Sequence, residues 1–198
     1  MISSQLSLLL FLAICVIVHP GFVLKWNEVG LSNYGIHVKT VVPYSLGLGL
    51  CSLFSIKAAR ALEGSERLTN DMRMLLYLYG GLVLFSLLST YGYKLNSPLR
   101  ILHIVSGCAT ILFEFGASLW IFVRLRSARM DVVWLGVQLV GFVLALLDFF
   151  EVLHVLFLAQ LLTGVGFGLL AVHAAQRLAL PSPARIKSTE NSEKPNLA

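Results

Sequence analysis

One carboxyl group sits deep inside an apolar run. Glu114 falls near the middle of the stretch 101–123. At about 100° per residue, His103 and Glu114, eleven positions apart, differ by only about 20° around a helix and share a face. Thr110 lies between them on that face, with Ser106 and Gly107 at its edges. Ionisable groups within a membrane are costly and mark functional candidates by default. Such a seam belongs inside a bundle, where it would relay a proton or recognise a polar group. The structural alternative is a protonated Glu114, hydrogen-bonded to a neighbouring helix and serving only packing.

A second set gathers at one end of the spans. His19 ends the first apolar run, His37 follows in the next connection, and His103 opens the fourth run. Asp148, Glu151 and His154 lie close together in a later turn. Imidazoles and carboxylates in one place can hold a divalent metal or perform acid–base work on a lipid headgroup. A zinc hydrolase would need His103, His154 and Asp148 or Glu151 to converge at about 2.0–2.2 Å from the ion. The metal set would be drawn from His19, His103 and His154, yet no His-x-x-x-His spacing is present and histidines suit a polar interface. Two of these histidines could also serve as axial haem ligands, but no facing pair lies inside the spans, and no cofactor is expected. His173, near the inner end of the last span, reads as interfacial. Cys15, Cys51 and Cys108 all lie in apolar runs without a Cys-x-x-Cys pair, so they read as small residues of a bundle.

The elements that must position these groups follow from composition. Of 198 residues, 57% are hydrophobic and 13% charged, against roughly 45–50% and 25% in a soluble domain. The apolar residues form long blocks with the charges between them, and about 18 such residues can cross a hydrocarbon core as a helix. The expectation is an all-α polytopic bundle of six spans at 6–24, 41–60, 74–93, 101–123, 132–149 and 153–176. Together they form a transmembrane domain over 1–180, with a disordered basic and polar tail over 181–198. The first run lacks a basic n-region and a small-residue cleavage site, which favours a retained span over a signal peptide. The stretch 132–178 is too long for one crossing, so the chain must turn near Asp148 to His154, although neither Gly nor Pro marks the place.

The net charge of +5 resides in connections and tail, which points to membrane orientation, not to nucleic acid. With six spans, eleven Lys and Arg residues fall on one side and four on the other. The positive-inside rule then places both termini in the cytoplasm. Trp26, Tyr34, Tyr44, Tyr91 and Tyr93 fall at the outer headgroup level, as aromatic belts do. Gly136, Gly141, Gly164, Gly166 and Gly168 read as points of close helix approach. The Gly-x-Gly-x-Gly run lacks the preceding strand that a nucleotide loop requires.

The first outer connection contains His19-Pro20-Gly21-Phe22, then Trp26-Asn27-Glu28-Val29-Gly30-Leu31-Ser32-Asn33-Tyr34-Gly35. This pattern resembles an uncharacterised bacterial six-helix membrane family, the domain of unknown function numbered nine-nine-eight. In that family a Pro-Gly-aromatic end to the first helix precedes an external Ser-x-x-Gly motif. The broader group includes the Frag and DRAM proteins. Ser32 and Gly35 match, whereas Asn33-Tyr34 replaces the usual apolar or acidic pair. His103 and the acidic turn before the last span fit the same outline, so the resemblance covers nearly the whole chain. It implies a six-helix fold and a loose link to lipid handling, but no reaction. In this sequence Ser32, Asn33 and Gly35 suit a tight turn capping the bundle.

Three functions are therefore in play. The first is a non-enzymatic bundle in a bacterial inner membrane. It would bind a membrane lipid or a membrane-protein partner through an outer pocket of His103, Thr110, Glu114, Asp148, Glu151 and His154, with the loop of Ser32, Asn33 and Gly35 above. The second is a metal-dependent lipid hydrolase built on the outer His, Asp and Glu residues. The third is a proton-coupled carrier with Glu114 as relay, although the inner half of that span is apolar apart from Ser118.

Overall fold

A computed structural model describes residues 1–24, 30–92, 97–125 and 129–179. Trp26, Asn27 to Val29, Tyr93, Arg126 and the tail 181–198 lie outside the described residues. Every regular element among the described residues is helical: α1 (Ile2–Val18), α2 (Gly21–Leu24), α3 (Asn33–Ile36), α4 (Val41–Ala61), α5 (Arg67–Gly92), α6 (Ser97–Arg124), α7 (Arg129–Phe149) and α8 (Leu156–Ala179). Five of them, α4 to α8, are long and apolar enough to cross a membrane. At 17 residues, α1 spans only about 25 Å, short of a hydrocarbon core of about 30 Å. It stops at His19 because Pro20 disfavours a helical residue before it, and α2 resumes immediately afterwards. Helices α5, α6 and α7 start ahead of the expected limits because charged or polar residues, such as Arg67 and Asp71 in α5, continue the helix before the apolar run, whereas α8 starts at Leu156, later than the expected 153.

Packing makes α1, α4, α5, α6 and α8 a closed circuit of neighbours, with α7 laid outside against α8 and α6. Half of the apolar window of α8 is buried but only 11% of that of α7, so α8 is the axial element and α7 the most exposed one. Two apolar cores result. The larger includes Met72, Leu76, Tyr79, Phe167 and Leu170. The smaller, beneath the connection between α2 and α4, holds Cys15, Tyr34 and Phe157.

The glycines divide in a way their spacing does not disclose. A Cβ on Gly141 would lie 2.7 Å from the Thr163 backbone nitrogen, and one on Gly166 would lie 2.9 Å from both the Gln138 nitrogen and the Trp134 carbonyl oxygen. Gly168 faces the Gln5 amide just as tightly. At Gly136 and Gly164, by contrast, a Cβ would meet no described atom within 4 Å. Those two are not points of close approach, because each projects from its helix into open space.

No glycine ends α7, yet the chain turns between Phe149 and Leu156. Glu151 takes the left-handed conformation, φ 58°. Its N–H donates to Asp148 O at 3.0 Å, and the Val152 N–H donates to Leu147 O at 2.9 Å. These are the paired bonds of a Schellman termination. The Asp148 carboxylate then accepts the Val155 N–H at 2.9 Å, tying the end of α7 to the start of α8.

Candidate functional site

The connection between α2 and α4 folds down onto the bundle. Tyr34 is fully buried, with its ring edge-on to Phe22 at 5.1 Å and Phe157 at 6.3 Å. Burial pushes its phenol above the ordinary tyrosine range, and the nearby Cys15 thiol adds to the shift. Tyr34 is therefore a core residue, not part of an exposed belt, because α3 turns it inward; Tyr91 does lie exposed. The loop is pinned from several sides. Thr40 Oγ1 donates to Tyr34 O at 2.8 Å, and the Leu31 N–H donates to Gln160 Oε1 in α8 at 2.8 Å. Asn33 Nδ2 donates to Gly30 O at 3.1 Å, and the Gly35 N–H donates to Ser32 O at 2.9 Å. Gly35 sits where a Cβ would come within 2.7 Å of Tyr44 and Thr90. Ser32, Asn33 and Gly35 thus form the turn that seats this cap. His19 stacks on Phe22 at 4.4 Å and meets His37 edge-on at 4.1 Å, which makes this pair part of the aromatic cap.

The seam on α6 faces α5. His103 Nδ1 lies 3.1 Å from Ser89 Oγ, which is also 3.0 Å from Ser106 Oγ. Thr110 Oγ1 donates back to Ser106 O at 2.8 Å. Glu114 is 6% exposed and lies near enough to Cys51 and Tyr79 to act on both electrostatically. Those two belong to a buried polar network that joins α1, α4 and α5. Ser4 Oγ donates to Cys51 O at 2.9 Å and lies 2.9 Å from Ser55 Oγ. Cys51 Sγ lies 3.8 Å from the Tyr79 hydroxyl.

The remaining residues of the expected pocket belong to the α7–α8 turn. Asp148 and Glu151 shape the α7–α8 turn, and Glu151 and His154 are exposed there. Among the described residues, no three His, Cys, Asp or Glu side chains come together as a metal site would require. Neither the trio His19, His103 and His154 nor the zinc set around His103 therefore assembles. His173 is more than interfacial. Its Nδ1 lies 3.2 Å from Asp131 Oδ1, and Arg177 reaches Asp131 Oδ2 at 2.8 Å. Asp131 is buried, so this cluster ties the start of α7 to the end of α8.

A cleft opens between α1, α4 and α8. It encloses about 70 Å³, with Gln5 and Leu8 toward its deep end, Leu31 and Gln160 toward the outer loop, and Gly164 in its wall. Leu9, which also lines it, is exposed on the surface of α1. Ser4, Gln5, Cys51, Tyr79 and Gln160 escape a reading of the sequence. A lone polar residue in an apolar run signals nothing until its neighbours on other helices are known. No family model matches this chain, and neither a curated protein nor a solved structure does.

Proposed function

We propose that this chain is a non-enzymatic multi-pass protein of a bacterial cell membrane that holds one membrane lipid in the cleft between α1, α4 and α8. In this reading α1 completes a sixth span with α2, both termini are cytoplasmic, and the resemblance to the six-helix family of unknown function reflects common architecture. The cleft is the observation that carries the reading. Its wall is apolar, it reaches an exposed face of α1 through Leu9, and acyl chains are the solvent on that face. On the measure by which one water needs about 10–15 Å³, its volume admits several methylene-sized groups. The outer cap, anchored by Leu31 to Gln160, closes one end.

Native mass spectrometry of protein extracted in mild detergent tests this. One lipid per chain is expected on the wild type and its loss in Gly164→Leu, whose side chain enters the cleft without a backbone clash. A wild type that carries no lipid refutes the reading. Fluorescence of a carboxy-terminal reporter that matures only in the cytoplasm tests the topology, and a dark reporter refutes the cytoplasmic C-terminus.

A further inference from the structure

Past Glu114, α6 itself is apolar apart from Ser118 as far as Arg124, yet the polar seam does not end there. It crosses to other helices. The seam starts at half-buried His103, whose Nδ1 meets Ser89 Oγ, and Ser89 Oγ in turn meets Ser106 Oγ. Thr110 and Glu114 continue it at i, i+4 spacing, with Cβ atoms about 5–6 Å apart on one helix face. Glu114 acts electrostatically on Tyr79 of α5 and Cys51 of α4. From there the groups touch directly: Tyr79 Oη to Cys51 Sγ at 3.8 Å, Cys51 Sγ to Ser4 Oγ at 3.2 Å, and Ser4 Oγ to Ser55 Oγ at 2.9 Å. All four are buried, but a recess of about 310 Å³ lies beside them, where α1 begins and α4 and α8 end. Ser3 and Ala58 line it, one adjacent to Ser4 and the other within a turn of Ser55, and its rim at Ser3, Ala61 and Gln176 is exposed. From His103 to Glu114 α6 rises about 16 Å, and from Cys51 to Ala58 α4 rises about 10 Å. Against a hydrocarbon core of about 30 Å, the line covers most of the depth.

We propose that the chain conducts protons along this line, between His103 and the recess, with Glu114 as the carboxylate that holds each proton in transit. Helix packing is served by isolated bonds between neighbours, whereas every member here is an imidazole, hydroxyl, carboxyl, phenol or thiol that can both give and accept a proton. Chains of histidine and carboxylate are the usual proton relays of a bilayer. Each hydroxyl or thiol takes a proton on a lone pair as it passes its own to the next group, and Glu114 gains one proton and loses one. Rotation then restores every group, so the net change is one proton moved from one face to the other, driven by a potential or a pH gradient. None of these residues lines the cleft between α1, α4 and α8, so the path does not depend on the lipid.

Proton flux into phosphatidylcholine vesicles tests it, with the purified full chain inserted, a pH-sensitive dye trapped inside and a potassium gradient released by valinomycin. Wild-type vesicles should change internal pH faster than vesicles of lipid alone. Glu114→Gln, which keeps size but cannot ionise, and Tyr79→Phe, which loses one oxygen, should each return the rate to that of lipid alone. Circular dichroism checks that the variants remain helical, and Tyr79→Phe carries the test if Glu114→Gln does not fold. A wild type no faster than lipid alone overturns the proposal. Flux that survives Glu114→Gln or Tyr79→Phe also overturns it, because the protons then travel another way.

Discussion

Two glycines only two positions apart should respond in opposite directions to the same substitution. In Gly166→Ala the new methyl would lie 2.7 Å from Gln138 Cβ and 2.9 Å from backbone atoms of α7 at Gln138 and Trp134. Ordinary contact distances are about 3.5–4.0 Å, so α7 must retreat by close to 1 Å. A gap of that size forfeits a quarter to a half of each affected dispersion contact, and overpacking of this kind costs about 1–3 kcal/mol. The higher helix propensity of Ala returns up to about 1 kcal/mol, leaving a net loss of up to about 2 kcal/mol. At roughly 2–4 °C per kcal/mol for a chain of this size, Tm should fall by up to roughly 8 °C. In Gly164→Ala the methyl meets no described atom within 4 Å. Only the propensity term remains, and Tm should hold or rise by up to about 4 °C. Thermal unfolding of both variants in one detergent, followed by circular dichroism, decides the matter. Equal shifts of the same sign would refute the α7–α8 register described above.

Three further outcomes follow from the same geometry. Glu151→Gly removes the left-handed strain at the end of α7 and should stabilise the chain by about 1 kcal/mol, visible as a higher Tm; a lower one contradicts the Schellman turn. Glu114→Gln keeps the size and hydrogen-bonding capacity of a neutral acid, so a packing role predicts an unchanged or raised Tm and unchanged lipid occupancy. Loss of either shows that ionisation matters. Gln160→Leu strips the acceptor from the Leu31 N–H and should cost about 1–3 kcal/mol. Limited proteolysis should then cut the outer connection faster than in the wild type, and equal rates would show that this bond does not hold the cap.

Apolar blocks of span length with charges confined between them dictate helices, since lipid offers no partner for an unpaired backbone group. That much was legible without coordinates, as was the burial of Glu114 and the shared face it forms with His103 and Thr110. Helical periodicity is local and needs only residue spacing. Gathering His103, Asp148, Glu151 and His154 into one pocket was a different kind of inference, because it needed the order of helices in space. The packing instead turns His103 toward Ser89 and engages Asp148 and Glu151 in ending one helix and starting the next. A Glu in the left-handed region leaves no composition signal, so the way α7 ends was invisible until the backbone was seen. The cleft was hidden for the same reason. Gln5, Gly164 and Gln160 are ordinary residues in apolar runs, and only the approach of α1, α4 and α8 makes them neighbours. Sequence spacing settles which residues share one helix face; which faces meet is decided by tertiary packing, where contacts form between residues that no local periodicity relates.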